Sequence, residues 1–283
     1  MCKRKPHAIA RNIRLAAIVV AAGLVGSPQF ASATRARPMT FTCPPGGEKF
    51  EAIGGIRRGR TPTGIRLDGR PLGRHATPAV PRRCRNGFVI YKDTFSKAEL
   101  AKLKPIVMSA AYQGLQKKHA HNFLAAYLMQ RMGASTEELT SRYLRASWET
   151  EGQWPPPDEE QKLSKSDRAL VRTYREATLR SIDESFAKGG IKPDAWWTAT
   201  ICAADLERML EHFDRAEQRL AGAAPGKTQP SGFEAEMIAQ IRKHAAQKDS
   251  EPHEFEGEMP QIDDDAYQEK GADALFPMVW VPR

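Results

Sequence analysis

Ala204-Asp205-Leu206-Glu207-Arg208-Met209-Leu210-Glu211-His212-Phe213-Asp214-Arg215-Ala216-Glu217-Gln218-Arg219-Leu220 is the stretch on which the fold turns. Leu206, Met209, Leu210 and Phe213 recur at helical spacing, in a region that Pro193 and Asp194 open and Pro225-Gly226 closes. Ala204, Ala216 and Ala223 place small residues twelve and then seven positions apart. Two helices approach to about 8–10 Å only where the facing side chains are small. Small residues at that spacing suit a close helix crossing.

The same residues resemble a tetratricopeptide repeat, which sets small residues at the helix crossing and a large one near the turn. Glu211 stands where such a repeat usually has glycine, and Glu207 where it has an aromatic. Ala126–Gly133, with the helix that follows to Trp148, is a weaker relative. Stacked repeats normally number three or more. The expectation is thus a mainly α chain of short tetratricopeptide-like hairpins, with an ordinary pair in a helix bundle as the alternative.

Outward from this stretch the pattern stays helical. Ser96 with Glu99 and Ser135 with Glu138 form capping boxes, the second opening a helix through Leu139, Tyr143, Leu144 and Trp148. Pro105 is expected to end or kink the first helix. A helix over Asn122–Met132 stops at Gly133. Trp154-Pro155-Pro156-Pro157 reads as a stiff linker. Asp158 or Ser164 opens a long helix carrying Leu170, Val171, Tyr174, Ile182 and Phe186, and a last helix spans about Phe233–Gln247.

The N-terminus reads as a secretory signal over residues 1–33. Lys3, Arg4, Lys5, Arg11 and Arg14 precede the apolar run Leu15–Val25, and Ala31 and Ala33 suit a signal peptidase. That run is too short for a membrane span, which needs about 20 residues, so no transmembrane anchor is expected after cleavage. The mature chain, Thr34–Arg283, is expected in the periplasm or secreted. Loss of the five signal cations lowers the formal net charge from +9 to +4. Residues 34–92 form a basic, Gly/Pro-rich arm of net charge +10, residues 93–248 the helical domain, and residues 249–283 an acidic tail of net charge −8. The arm is free to meet an anionic surface or the tail of its own chain.

Within the arm, Lys49–Ile53 and Phe88–Tyr91 are strand candidates that could pair. Cys43 and Cys84 sit in loop-like sequence, whereas Cys202 lies in the helical stretch Thr200–Ala204. In an oxidising compartment this predicts a Cys43–Cys84 bridge and a buried, free Cys202.

Phe41-Thr42-Cys43-Pro44-Pro45-Gly46-Gly47-Glu48-Lys49-Phe50 and Cys84-Arg85-Asn86-Gly87-Phe88-Val89-Ile90-Tyr91 resemble the start of an uncharacterised bacterial domain-of-unknown-function family. Its members begin with two Cys-Pro-x-Cys-Gly-like knuckles and continue into tetratricopeptide-like helices. The resemblance implies two zinc ligands per knuckle and no established activity. Only Cys43 and Cys84 carry over, with Gly46 and Asn86 or Gly87 where second cysteines would fall. Zinc needs three or four ligands, and His75 is the one histidine of the arm. An oxidised relic of a knuckle is therefore expected, with no metal and no cofactor.

His119 and His121 point apart on a helix and read as polar surface residues; Asp263-Asp264-Asp265 with Glu269 lacks the alternation of a calcium loop. No nucleophile elbow, phosphate loop, dinucleotide fingerprint or His-Glu-x-x-His occurs. The expectation is a non-enzymatic helical-repeat protein that binds a protein or peptide. Arg57, Arg58, Arg60, Arg66, Arg70, Trp154, Trp196 and Trp197 are its candidate contacts. The alternatives are a module that holds an anionic surface or nucleic acid through the arm, and an envelope enzyme. The arginines lack interleaved aromatics, so specific nucleic-acid readout is not expected.

Overall fold

The computed structural model describes residues 37–54, 62–73, 80–152, 163–222 and 229–259, all within the unit Arg35–Arg283. The signal segment, the Trp154 linker and the tail beyond residue 259 lie outside the described residues, as do Arg57, Arg58, Arg60, His75 and Ala223.

Among the described residues six short strands pair as three separate antiparallel hairpins: β1 (Arg37–Thr42) with β2 (Lys49–Gly54), β3 (Gly64–Ile65) with β4 (Pro71–Leu72), and β5 (Arg82–Arg83) with β6 (Val89–Ile90). The two strand candidates of the arm are therefore strands, but not with each other: β2 pairs Phe50 opposite Phe41, and β6 pairs Val89 opposite Arg83. Each finds a partner at hairpin distance, which costs less closure entropy than a pairing across the arm.

Two similar turns close the outer hairpins. Cys43 O accepts from Gly46 N and Gly47 N, and Cys84 O accepts from Gly87 N. Gly47 and Gly87 both have positive φ, the left-handed conformation that glycine adopts without strain. The turns face one another through a Cys43–Cys84 disulfide, with the Cα atoms 5.8 Å apart.

Eight helices follow among the described residues: α1 (Lys97–Met108), α2 (Ala110–Leu115), α3 (His121–Arg131), α4 (Thr136–Glu151), α5 (Lys165–Ala187), α6 (Trp196–Met209), α7 (Phe213–Ala221) and α8 (Gly232–Ala246). Capping boxes at Ser96/Glu99, Ser135/Glu138 and Ser231/Glu234 start α1, α4 and α8, and Ser164 caps α5. Pro105 does not end α1. The helix runs three residues past it and stops where Ser109 turns extended and caps α2, a short helix not foreseen in the sequence. None of the described helices is long and apolar enough to cross a membrane.

The Ala204–Leu220 stretch is two helices, not one region continuing through Phe213. α6 ends at Met209, Glu211 takes φ 68°, and α7 starts at Phe213. Ala204 and Ala216 are both fully buried where α6 and α7 pack. Glu211 thus occupies a conformation that favours glycine, the residue whose absence the sequence shows.

Three apolar clusters form the core. One joins the disulfide, Phe88 and Val89 to α1–α3 through Leu103, Val107, Tyr112, Leu124 and Leu128. A second packs α4, α5 and α6 around Leu144, Trp148, Ile182, Leu206 and Met209. The third sets Ile65 and Leu67 against Ile201, Met237, Ile241 and Phe255. The arm is accordingly built into the helical body at two places.

Candidate functional site

The β3–β4 hairpin is the centre of the site. From Gly64 to Leu72 every residue is buried, although the segment contains Arg66, Asp68 and Arg70. Its tight turn needs Gly69, at φ 90°, and is closed by Arg66 N donating to Arg70 O at 2.8 Å. On its other side the chain beyond α8 forms an isolated antiparallel bridge, Arg66 opposite Glu254. Leu67 N donates to His253 O at 3.0 Å and Phe255 N to Ile65 O at 2.8 Å. The first part of the acidic tail therefore pairs with the arm by its backbone.

Four arginines and three carboxylates meet around this plug. Asp68 accepts from Arg66 Nε at 3.1 Å and Nη2 at 2.7 Å, from Arg70 N at 3.2 Å, and from the Trp148 indole at 2.8 Å. Glu151, at the end of α4, accepts from Arg66 Nη1 at 2.5 Å, Arg70 Nη1 at 3.2 Å and Arg175 Nη2 at 2.7 Å. Arg70 also donates to Gly152 O. Deeper in, Arg208 Nε donates to Asp205 Oδ1 at 2.8 Å. Burial alone would raise the Glu151 pKa, but Arg66, Arg175 and Arg70 outweigh it and hold it down to about 2. Asp205 moves the other way: burial and the neighbouring Asp68 raise it against the pull of Arg208.

Such a network is not itself a large source of stability, because desolvating the charges costs about what their attraction returns. Arg66 spans Asp68 of its own hairpin and Glu151 of α4, and so ties the plug to that helix.

A second group ties α5, α6 and α7. Glu207, buried on α6, accepts from Arg219 and from His212 Nδ1 at 2.8 Å, while Arg219 holds Asp183 through both guanidinium nitrogens. This polar staple fills the place where the repeat pattern puts an aromatic.

The sequence-predicted contacts part company here. Arg66 and Arg70 are interior residues, each about 1 % exposed, and are not available to an anionic surface or a partner. Their neighbours on the helices, Glu151 and Arg175, lie 81 or more positions away, so the arm alone gives no sign of their burial. Trp196 and Trp197 are half-buried at the start of α6. Trp196 meets Phe186 edge-on at 4.5 Å, and Trp197 packs against the apolar cluster around Ile65. Arg57, Arg58, Arg60 and Trp154 lie outside the described residues.

Cys202 is the free cysteine among the described residues, and its Sγ stands 3.6 Å from Asp68 O. Burial, with Asp68 and Asp205 nearby, pushes the thiol pKa well up, which keeps it protonated and unreactive. His119 and His121 serve different neighbours. His119 Nδ1 meets the Tyr174 hydroxyl at 3.0 Å and its ring stacks on Phe123, whereas His121 Nδ1 meets Pro81 O at 3.0 Å. Glu149 accepts from the backbone of His121 and Asn122, capping α3 from α4.

Among the described residues two clusters have metal-ligand chemistry. Glu48 lies beside Cys43 and Cys84, but both sulfurs are committed to the disulfide. His244, Asp249 and His253 bring two imidazoles and one carboxylate within 4.8 Å of one another. The sequence spacing His-x4-Asp-x3-His was the available signal for the second, and it straddles the end of α8, where helical periodicity stops.

No protein-family model, curated protein or solved structure matches the chain.

Proposed function

We propose that this is an exported, non-enzymatic helical protein that binds a protein or peptide partner in the cell envelope. The reading includes removal of residues 1–33, the tetratricopeptide-like character of the α6–α7 pair, and descent of the Cys43 and Cys84 turns from a zinc-knuckle pair. One observation carries it. The body encloses a short hairpin, Gly64–Leu72, through a backbone bridge from the segment after α8, apolar packing and arginine–carboxylate pairs together. Those are the means by which a folded scaffold recognises an extended peptide in another chain. The exposed arginines of β5, Arg82 and Arg83, and the half-buried Trp196 and Trp197 are the described residues that such a partner would meet.

The test is a photo-crosslinking residue placed in turn at Val80, Arg82 and Trp197 of the full chain in its native cell. The expected result is one reproducible protein adduct from neighbouring positions, followed by saturable binding of that purified partner. Fractionation should place the chain outside the cytoplasm with Thr34 at its N-terminus. Adducts that differ at random between positions, or a chain retained in the cytoplasm with residues 1–33 intact, would overturn the reading.

A further inference from the structure

We propose that His244, Asp249 and His253 form a zinc site that locks the bridged segment after α8 onto the plug. Three independent elements deliver the ligands. His244 is in the last turn of α8. Asp249 follows the left-handed residue Lys248 and is folded back so that its N–H donates to His244 O at 3.0 Å. His253 is fixed by its carbonyl, which accepts from Leu67 N of the plug. Buried Arg208, itself neutralised by Asp205, donates to Asp249 O at 2.6 Å and to Glu251 O at 2.8 Å and so clamps the connecting turn.

The donor atoms converge. Asp249 Oδ1 is occupied by Glu251 N at 2.9 Å, which leaves Oδ2 to face both rings. His253 Nε2 lies 2.7 Å from Oδ2 and His244 Nδ1 lies 3.4 Å from it. His244 Nδ1 is buried and makes no hydrogen bond, an unpaired nitrogen pointing at the carboxylate. Zinc bound at about 2.0–2.2 Å in tetrahedral geometry sets its ligands about 3.3–3.5 Å apart. The carboxylate–imidazole distances need to change by less than about 1 Å to meet that. Where the metal is to sit, Asp249 Oδ2 and His253 Nε2 now touch each other directly, and binding replaces that contact. Two imidazoles and one carboxylate leave the fourth position to water. The rings stack face to face at 3.7 Å and 8°, so a metal near the plane of both requires them to splay. Loss of that stack is a signature of binding.

The full exported chain, stripped with chelator, is titrated with Zn²⁺ and separately with Co²⁺. One site per chain is expected, with the intense visible absorption of four-coordinate cobalt and a rise in unfolding temperature. His253→Gln and Asp249→Asn should each weaken it by roughly a hundredfold or more, since loss of a mere support behind a ligand costs 10–100-fold. His121→Gln, remote from the cluster, should leave it unchanged. Because a variant can fail to fold, the native chain is also followed by imidazole NMR, in which Zn²⁺ must shift the rings of His244 and His253. No site per chain, a site that survives both variants, or unmoved His244 and His253 resonances would each overturn the proposal.

Discussion

The Trp148 indole donates to Asp68 Oδ2 at 2.8 Å, and that bond joins the middle of the helical body to the tip of a hairpin 80 positions earlier in the chain. Trp148→Phe keeps most of the apolar contact and removes the donor. It leaves a buried carboxylate short of one partner, a loss worth about 1–3 kcal/mol. Urea unfolding should show the midpoint falling with the slope unchanged.

Glu151 carries the charge balance of Arg66, Arg70 and Arg175. Glu151→Gln leaves buried guanidinium groups uncompensated, and a loss of about 3–5 kcal/mol is expected by the same measurement. Its pH signature is separate. The folded carboxyl is held at about 2 against an ordinary value of 4.5, so its stabilising effect is complete above 4.5 and is lost as pH falls toward 2. Wild-type stability should fall across that window, and the Gln variant should fall less steeply. An equal slope in the two chains would show that Glu151 is not the titrating group.

Thiol counting separates the cysteines. A chain beginning at Thr34 should release one thiol when denatured without reductant, and that thiol, Cys202, should react slowly while the chain is folded. Replacing Cys43 and Cys84 by serine together opens a loop with a sequence separation of 41, at a cost of about 3–4 kcal/mol on the chain-entropy account. Three thiols on denaturation would contradict the bridge, and rapid labelling of Cys202 in the folded chain would contradict its protection.

Glu211 offers a gain. Its φ of 68° is strained for any residue with a side chain, and it links α6 to α7. Glu211→Gly should stabilise the chain by about 0.5–1 kcal/mol, which for a body of this size raises the unfolding temperature by roughly 1–4 °C. A drop in calorimetry would mean that Glu211 makes up for its strain through its side chain.

How much of this was legible follows from where the determinants lie. Helix starts could be read because Ser96, Ser135 and Ser164 act within one turn of themselves. The α6–α7 contact could be read because Ala204 and Ala216 keep their spacing on either side of a single break. The plug could not. Gly64–Leu72 alternates arginine and aspartate with apolar residues among glycines and prolines, which reads as exposed loop, and only Trp148, Glu151 and Arg175 turn it inward. For the same reason the basic arm suggested an anion surface, whereas two of its arginines are matched inside the molecule. The histidine cluster was missed because His244 belongs to a helix and His253 to an irregular segment that is held in place only against Leu67.

The position of the plug near the beginning of the chain has a consequence for assembly. The ribosome delivers the chain from its N-terminus, so Ile65, Arg66 and Leu67 emerge before every helix that covers them. The Cys43–Cys84 bridge can close as soon as Cys84 appears, but the hairpin inside that covalent ring must wait for Glu151, Arg175, Met237 and finally His253. Folding of this body is therefore committed late. Chains that stop before α8 carry a ring with an unhoused, charged and apolar tip, which makes them natural clients for a chaperone or a protease.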